Sequence, residues 1–507
     1  MRKKSLLIIT FLFLIPFISW SQTTPIPDNN FEIYLETHDA NLNLVTLGNT
    51  NSMGDGILNN SVPTNKINTV LDLDILNLNI TNLSGIEDFI ALTKLDCSQN
   101  QLTNLDVTSL SNLQILWCFS NSLSNIDVSQ NTALISLRVE DNTLINLDVS
   151  NNTVLNVLTC QNNFLTSLNT SNNSNLTILN CGDNATGTID VTNNLNLVSL
   201  TCPRNNLTEL DVTNNINLEQ LMFADNQIND INISNNRELS QFRGSRNLLR
   251  VLDTSNNLEL IHITCNFNTI TELDISNNNK LGILDCSNNL LCRINAKNGT
   301  NMLITNFNAD NNPNLTCIIV DDINYSNTNW TDKDATATFY NSITDCENSE
   351  AIIPEVDNLN DFIGPSYTLP ILTNGNYYTT TDGNGINLNT GDVISTSQTI
   401  YIYNETVCSN NESSFNILIT DTPYFIPKYF TPNNDGNHDY WKVYDSTNTI
   451  TNIYIFNRYG KLLKDLNINS EGWNGTFNGE LLPNNDYWYN IIFNSGEVLN
   501  GHFTLKR

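Results

Sequence analysis

The segment at residues 134–154, LISLRVEDNTLINLDVSNNTV, is one copy of a 21-residue unit that occurs ten times in register between residues 92 and 289. The first position of every copy is a leucine: Leu92, Leu113, Leu134, Leu155, Leu176, Leu197, Leu218, Leu239, Leu260 and Leu281. The ninth position is always an asparagine: Asn100, Asn121, Asn142, Asn163, Asn184, Asn205, Asn226, Asn247, Asn268 and Asn289. Self-similarity at one fixed period indicates a solenoid, in which each unit forms one coil and contacts its two neighbours.

The alternation of residue types within the unit predicts which side chains are buried. The consensus is LxxLxCxxNxLxxLDVSxNxx. Positions four, six and eleven should point inward, and positions three, five and seven outward from a short strand, because successive strand side chains point to opposite faces. The unit resembles the bacterial leucine-rich repeat, whose signature is LxxLxLxxNxL. The resemblance covers residues 70 to about 312 and implies a mainly β leucine-rich-repeat solenoid with an atypical first repeat.

Two features of the coil follow from this pattern. The amide of the ninth-position asparagine should satisfy backbone groups of adjacent coils where the chain turns inward. The second half of the unit, LDVS, places Leu147 and Val149 inward and Asp148 outward. Because a 21-residue coil has no room for a full helix after its strand, we expect strands on both sides of a narrow coil.

An acidic column accompanies this second half of the unit. Its members are Asp106, Asp127, Asp148, Asp190, Asp211, Asp253 and Asp274, interrupted by Asn169, Asn232 and Asn295. Stacked carboxylates suit calcium, but a glycine-rich calcium repeat does not accompany them. We therefore expect no cofactor and no metal, and interpret the column as a charged surface that discourages pairing between molecules.

Seven of the eleven cysteines fall on the sixth, inward position: Cys97, Cys118, Cys160, Cys181, Cys202, Cys265 and Cys286. Stacked parallel strands lie about 4.8 Å apart with their side chains pointing the same way, whereas a disulfide requires Cβ atoms about 3.8 Å apart and facing each other. These seven residues are therefore predicted to be buried thiols. Cys317 and Cys346 lie outside the repeat and are the candidates for a disulfide.

Composition and the N-terminus indicate an exported protein. Residues 1–21 combine Arg2, Lys3 and Lys4 with a short apolar run and small residues before Gln22, which is typical of a signal peptide. No later stretch is long and apolar enough to predict a transmembrane segment in the mature chain. The chain carries 52 Asp+Glu against 22 Lys+Arg, a net charge of −30, which disfavours nucleic acid as a partner.

The remaining segments complete the predicted domain organisation. Residues 22–91 form an N-terminal cap with an irregular first repeat, and Asp28 is the predicted N-cap of a short helix. The solenoid spans residues 92–312, and residues 313–349 close it, with Tyr325 and Trp330 covering the last coil. Short alternating runs in residues 350–422 predict a small antiparallel β-sandwich, interpreted as a spacer or adhesion module.

The last segment, residues 423–507, also predicts an antiparallel β-sandwich, with a hairpin turn at Asn478-Gly479. It contains YFTPNNDGNHDYW at residues 429–441, IYIFNRYGKLL at 453–463, GWNGTFNGELLPNNDYWYNI at 472–491 and GHFTLKR at 501–507. These ordered motifs resemble the gliding-motility-associated C-terminal domain, the type B sorting signal of type IX secretion, although Asn434 replaces the usual glycine of its NGDG turn. The resemblance implies delivery by the type IX secretion machinery to the outer cell surface of a Gram-negative bacterium, or into the medium.

Candidate ligand contacts lie on the outward strand positions, because the invariant residues explain only the scaffold. Ile115, Trp117 and Phe119 place three exposed apolar side chains on one coil. Such a group is unusual in so polar a chain and suggests an anchor for a ligand. Farther along the same strip, Arg243 and Arg246 form a local basic patch, with Arg237 and Arg250 near them. The candidate contacts are Ile115, Trp117, Phe119, Arg138, Val157, Ile178, Met222, Arg243 and Arg246.

The strip favours a monomeric adhesion or binding protein for a protein or glycan ligand. A passive surface-layer component is the alternative, and a glycan- or peptide-acting enzyme is a second one. The sequence contains no HExxH, GxSxG or phosphate-loop motif. We therefore expect that the protein is not an enzyme. A structural role for Trp117, packed on the N-terminal cap, is an equally open interpretation of that residue.

Overall fold

A computed structural model describes residues 22–348, 353–434 and 438–507, and divides the chain into two compact units, Met1–Glu350 and Ala351–Arg507. The predicted signal peptide, residues 1–21, lies outside the described residues, as do the residues of the NGDG-like turn at 435–437. Each unit has its own core. The division at residue 350 coincides with the change of sequence character from the solenoid to the short alternating strands.

The N-terminal cap consists of β1 (Thr23–Pro25), α1 (Asn29–Thr37), β2 (Ser61–Pro63) and α2 (Thr64–Ile67), with β1 and β2 antiparallel. The predicted helix cap is confirmed, because one oxygen of Asp28 accepts hydrogen bonds from the amides of Asn30 and Phe31. Its second oxygen accepts from the amide and the hydroxyl of Thr81, both at 2.8 Å. One carboxylate thus joins the cap helix to the first irregular repeat.

The solenoid confirms the predicted fold class: a mainly β stack of 21-residue coils. Two 3₁₀ turns, Ile86–Asp88 and Asn301–Leu303, interrupt it. Its other elements, in chain order, are β3 (Asp72–Asp74), β4 (Lys94–Asp96), β5 (Ile115–Trp117), β6 (Ser136–Arg138), β7 (Val157–Thr159), β8 (Ile178–Asn180), β9 (Ser199–Thr201), β10 (Gln220–Met222), β11 (Gln241–Arg243), β12 (His262–Thr264), β13 (Glu272–Asp274), β14 (Ile283–Asp285), β15 (Arg293–Asn295), β16 (Asn306–Ala309), β17 (Cys317–Ile319), α3 (Ile323–Asn329), β18 (Asp332–Lys333), β19 (Thr338–Tyr340) and α4 (Ile343–Asn348).

One parallel sheet of 13 strands runs the length of the solenoid, in the order β3 to β12, then β14, β16 and β18. Each repeated strand pairs with the same position of the next coil, so that Leu116 lies beside Leu137 and Trp117 beside Arg138. The leucines at positions one, four and eleven are buried throughout this stack. Identical register in every coil therefore carries each column of the sequence into a row on the structure.

The predicted second strand of each coil is wrong for most of the solenoid. Strands on that side form a separate sheet of four, β13, β15, β17 and β19, which begins only at Glu272. In earlier coils the aspartate at position fifteen folds the chain locally: Asp148 Oδ1 accepts from the amide of Ser150 at 2.9 Å. This hydrogen bond does not by itself exclude a strand, because Asp274 at the end of β13 accepts from the amide of Ser276 at 2.8 Å in the same way.

The ninth-position asparagines form the predicted ladder between coils. Asn142 Nδ2 donates to the carbonyls of Cys118, 3.0 Å away on the preceding coil, and Val139, 3.1 Å away on its own coil. Its Oδ1 accepts from the amide of Leu123 at 3.0 Å. The residue just before each asparagine has a left-handed backbone without being glycine, as at Asp141, where φ is 55°.

A second ladder, which the sequence analysis missed, runs along position nineteen. Asn152 Nδ2 donates to the carbonyls of Val128 at 3.1 Å and Asn131 at 2.9 Å. The Oδ1 atoms of most of these buried asparagines accept no hydrogen bond from the described protein atoms. Asn194 is different, because Thr170 replaces the usual position-sixteen valine and donates its hydroxyl to Asn194 Oδ1 at 2.9 Å.

The seven sixth-position cysteines are buried free thiols, as predicted. Burial raises the pKa of Cys181 and Cys265 to about 12, so these thiols are neutral and unreactive in the folded protein. At the C-terminal end, Trp330 is buried and stacks on Phe307 with ring centroids 4.2 Å apart. A disulfide joins Cys317 to Cys346 there, with a Cα–Cα distance of 5.6 Å.

The second unit contains two successive groups of small sheets. The first group has a five-stranded sheet in the order β20-β26-β25-β22-β23 and the two-stranded sheet β21-β24. The large sheet is not purely antiparallel, because β20 pairs with β26 in parallel. The strands are β20 (Phe362–Gly364), β21 (Tyr367–Thr368), β22 (Asn376–Tyr378), β23 (Asn387–Leu388), β24 (Val393–Ile394), β25 (Gln398–Glu405) and β26 (Asn410–Ile419).

The second group carries the C-terminal motifs, and its main sheet has the order β28-β35-β34-β30-β31. Its core includes Trp441, Trp473 and Phe503, and the predicted hairpin turn is confirmed by positive φ at Asn478 and Gly479. The strands are β27 (Tyr424–Phe425), β28 (Tyr429–Phe430), β29 (Tyr444–Asp445), β30 (Ile450–Phe456), β31 (Leu462–Leu466), β32 (Thr476–Phe477), β33 (Glu480–Leu481), β34 (Asn485–Phe493) and β35 (Val498–Leu505).

Candidate ligand-binding site

The outward side chains at positions three, five and seven of the 13-stranded sheet form one continuous surface, which we call the strand face. Eight of the nine candidate contacts lie on it: Ile115, Trp117, Phe119, Arg138, Val157, Ile178, Met222 and Arg243. The ninth, Arg246, lies beyond the strand at the left-handed position eight. The candidates therefore divide into an aromatic group near the N-terminal end and a cationic group several coils away.

Trp117 is the centre of the aromatic group. Its ring lies between the coils before and after it, with Lys94 Nζ and Arg138 Cζ each 5.5 Å from its centroid. Its indole Nε1 donates to Ser136 Oγ at 3.3 Å. The contacts that hold Trp117 are thus made by the strand face itself, and its ring stays half-exposed.

Arg138 links Trp117 to Phe119, because its guanidinium also lies 4.4 Å from the Phe119 ring centroid. Arg138 Nε donates to Glu140 Oε1 at 2.9 Å, and a second guanidinium nitrogen reaches the same oxygen. Glu140 is buried, and its other oxygen accepts from Thr159 Oγ1 at 2.5 Å. Because the carboxylate is fixed by its own hydrogen bonds, Arg138 and both rings are held in place before any ligand arrives.

The middle of the strand face is less distinctive. Val157 and Ile178 occupy position three of adjacent coils and pair in register, with Ile178 40% exposed. Met222 lies three strands from Thr159 in the same row, and the side chains between them, Asn180 and Thr201, are uncharged. This section offers hydrogen-bonding groups and modest apolar area without a fixed cluster.

Arg243 and Arg246 do not form the single basic patch that the sequence predicts. Arg246 pairs with Asp225 on the preceding coil, with Nε 3.7 Å from Oδ1, and stacks 4.1 Å from the Phe267 ring centroid. Arg243 points to the strand face instead, where its Nη2 donates to Gln241 Oε1 at 3.3 Å. The reason for the split is that positions five and eight of one coil lie on different surfaces.

The acidic column is held by short-range hydrogen bonds. The hydroxyl and the amide of Thr108 hydrogen-bond to Asp106 and lower the pKa of its carboxyl. The same arrangement lowers the pKa of Asp190 and Asp211. Within residues 22–348, 353–434 and 438–507, no group of three or more histidine, cysteine or acidic side chains has an arrangement that could hold a metal ion.

Several residues of the site were missed at the sequence level. Lys94, Ser136 and Glu140 support the aromatic group, and Gln241 and His262 flank Arg243. The signal for them was present, because the 21-residue register places Lys94 beside Ile115 and His262 beside Gln241. Reading each candidate together with the same positions of both neighbouring coils would have found them.

Comparison with known proteins finds matches for the C-terminal segment and for the fold of the solenoid. Residues 424–505 match the CHU_C type IX secretion signal domain. The structure is similar to an internalin, InlF of Listeria monocytogenes, at 20% identity and a TM-score of 0.50, covering 64% of this chain and 100% of that one. It also matches the functional domain of InlJ from the same organism at 23% identity, with a TM-score of 0.44 and coverage of 78% and 99%. No match to the sequence is found among curated proteins.

These findings define the class: a protein with an internalin-like leucine-rich-repeat solenoid and a C-terminal type IX sorting domain. The sorting domain implies export, with the protein at the cell surface or released. In the described part of the chain, no helix has the length and apolar character needed to cross a membrane.

Proposed function

We propose that this protein is an exported binding or adhesion protein of a Gram-negative bacterium, and that the strand face of its solenoid contacts a protein or glycan ligand. The observation that carries the proposal is the fixed cluster of Trp117, Phe119 and Arg138. Half-exposed aromatic side chains that are already ordered lose little conformational entropy on binding, which is the property of interaction hot spots. A purely structural cluster gains nothing from presenting two rings to solvent on the same surface.

The proposal predicts a large effect from removing the two rings. The mature protein, its Trp117→Ala/Phe119→Ala variant and a Phe164→Ala control are applied to arrays of extracellular proteins and glycans. Phe164 is 62% exposed but follows the asparagine ladder, away from the strand face. Loss of both anchors should weaken saturable binding by at least about 30-fold, the equivalent of ~2 kcal/mol, while the control binds normally.

The same experiment separates the proposed role from its alternatives. Undiminished binding by the double variant, with an unchanged melting temperature, refutes the role of this cluster. Absence of saturable binding to every array member by the unaltered protein supports a passive surface component. Turnover of an array glycan or peptide, detected as a changed mass, supports an enzyme.

Delivery is tested separately in the native host. Removal of residues 423–507 should leave the protein inside the cell envelope, whereas the full chain appears at the surface or in the medium. The Trp117→Ala/Phe119→Ala variant is the matched control, because it should be exported normally. Surface appearance of the truncated chain refutes the role of the sorting domain.

A further inference from the structure

Arg243 differs from the other cations of the strand face in having no carboxylate partner. Lys94 pairs with Asp72 at 3.7 Å, and Arg138 pairs with Glu140. Among the described residues, no carboxylate oxygen lies within 4 Å of the Arg243 guanidinium. Its Nε is buried and donates to no protein atom, so its one protein acceptor is Gln241 Oε1. The buried Nε is closed to a ligand, so the donors that remain for one are the N–H groups of the two terminal nitrogens, Nη1 and Nη2, of this half-exposed side chain.

The side chains next to Arg243 in its row are uncharged. Met222 and Thr264 lie beside it in the same row, and His262 lies one coil along beside Gln241. Burial lowers the pKa of His262, and the neighbouring Arg243 charge lowers it further against the opposing effect of Asp285. The lowered pKa favours the neutral imidazole at pH 7, so the charges of this part of the strand face are the Arg243 guanidinium and the carboxylate of Asp285, two strands along the same row.

The core beneath Arg243 departs from the repeat consensus. Position six of its coil is Gly244 instead of cysteine, and an added Cβ there would lie 2.6 Å from Phe223 Cζ. Phe223 and Phe242 pack edge to face below the strand, with centroids 5.4 Å apart. These bulky buried rings fill the core beneath β10 and β11, where Met222 and Arg243 emerge.

We infer that Arg243 is a binding site for the carboxylate of a single acidic side chain in an extended peptide segment of a protein ligand. This inference rests on the proposed function and specifies its ligand. A planar guanidinium with free N–H groups binds a carboxylate through two parallel hydrogen bonds. The acid in the same row, Asp285, lies two strands away and forms no ion pair with Arg243. The net charge of −30 repels a polyanionic glycan, whereas one carboxylate in a neutral or basic peptide is accommodated.

The distance between the two groups of the strand face sets the length of the ligand. Trp117 and Arg243 occupy the same row on β5 and β11, six strands apart. At about 4.8 Å per strand the separation is about 29 Å, which an extended peptide covers with about nine residues at ~3.3 Å each. The ligand thus runs across the strands, with an apolar side chain near Trp117 and an acidic one at Arg243.

The test uses a phage-displayed library of random 16-residue peptides, selected on the mature protein. Peptides enriched on the unaltered protein should contain an apolar and an acidic residue about nine positions apart. Arg243→Gln should abolish the enrichment of the acid, while the control Arg246→Gln, the same change three residues away, should keep it. Arg243→Lys, which retains the charge but loses the two-pronged geometry, should give an intermediate result.

A selected peptide is then compared with its copy in which the acid is replaced by the corresponding amide. Either change, the amide in the peptide or Arg243→Gln in the protein, should weaken binding by about 10- to 100-fold. The two changes together should cost no more than one of them, because they remove the same contact. Additive losses, or equal acid enrichment on Arg243→Gln, overturn the inference.

The outcomes also separate this inference from the proposed function. Peptides whose binding depends on Trp117 but not on Arg243 overturn only the carboxylate site. Failure of the unaltered protein to enrich any peptide overturns the peptide ligand, and the glycan array described above then decides whether the strand face binds at all.

Discussion

Replacing Asn142, one of the ladder asparagines at position nine, by alanine should destabilise the solenoid far more than replacing Asn151, at position eighteen of the same coil. Asn142→Ala deletes the acceptor of the buried Leu123 amide, which has no other hydrogen-bond partner among the described residues. It also deletes donors to the carbonyls of Cys118, Val139 and Glu140, but the first two keep a second ladder asparagine and Glu140 keeps the amide of Ser120. The Asn151→Ala control removes a single bond from an exposed side chain, to the carbonyl of Ser129 at 3.2 Å.

The magnitude follows from the groups that are left without a partner. An orphaned buried amide costs about 1–3 kcal/mol, and the loss of three shared bonds adds about 0.5 kcal/mol each, which gives about 3 kcal/mol for Asn142→Ala. Asn151→Ala should cost less than about 1 kcal/mol. Because a solenoid is held by contacts between neighbouring coils, the effect is local. Hydrogen exchange of the peptides that contain Leu123 should therefore accelerate by roughly 100-fold in Asn142→Ala.

The measurement is hydrogen exchange by mass spectrometry on the mature protein, with peptides from the second unit as internal reference. Asn142→Asp is a stricter version, because it keeps the acceptor for Leu123 and turns the donors to Cys118 and Val139 into acceptors. It should be at least as damaging as alanine at pH 7 and less damaging at pH 4. Equal protection in Asn142→Ala and Asn151→Ala would refute the ladder as the source of stability.

Three further changes test other parts of the structure by urea unfolding. Gly244→Cys restores the consensus but should cost about 1–3 kcal/mol through its clash with Phe223, and adding Phe223→Cys should recover part of the loss. Burial raises the pKa of Asp28, but the hydrogen bonds that its carboxylate accepts outweigh this effect and lower the pKa. The stability that Asp28 contributes is therefore present above about pH 4 and is lost as the pH falls through the lowered pKa. Asp28→Ala should cost about 2–3 kcal/mol at pH 7 and much less at pH 3. Thr170→Val leaves Asn194 Oδ1 without its donor and should cost about 1–2 kcal/mol.

The repeat made the scaffold predictable from the sequence because every column has one structural task. Leu116 and Leu137 are buried and adjacent since their positions in the unit are the same, and Asn142 bridges coils for the same reason. The free thiols followed from the geometry of stacked strands. The same consensus also contained the second ladder, and the recurrence of Asn152 and its equivalents at position nineteen was the signal that was overlooked.

The parts that could not be predicted depend on contacts between neighbouring coils. Alternation in LDVS suits a strand, but the second strand forms only from Glu272 onward, although Asp148 and Asp274 accept the same hydrogen bond from two residues ahead. The partner of Arg246 depends on its side chain reaching Asp225 one coil back, a contact that alternation within a single unit does not indicate. The fixed position of Trp117 likewise requires both adjacent coils.

The left-handed residue and the asparagine ladder recur with a constant offset, so all coils share one backbone geometry, although some core residues are matched to a neighbour, as Gly244 is to Phe223. A deletion or duplication of 21 residues rejoins equivalent columns, and each ladder bond finds the same kind of partner, as Asn142 does on the coil of Cys118. The gene can therefore lengthen or shorten the solenoid by recombination between its own repeats. Each such event between Trp117 and Arg243 would change the distance between these two residues by about 4.8 Å.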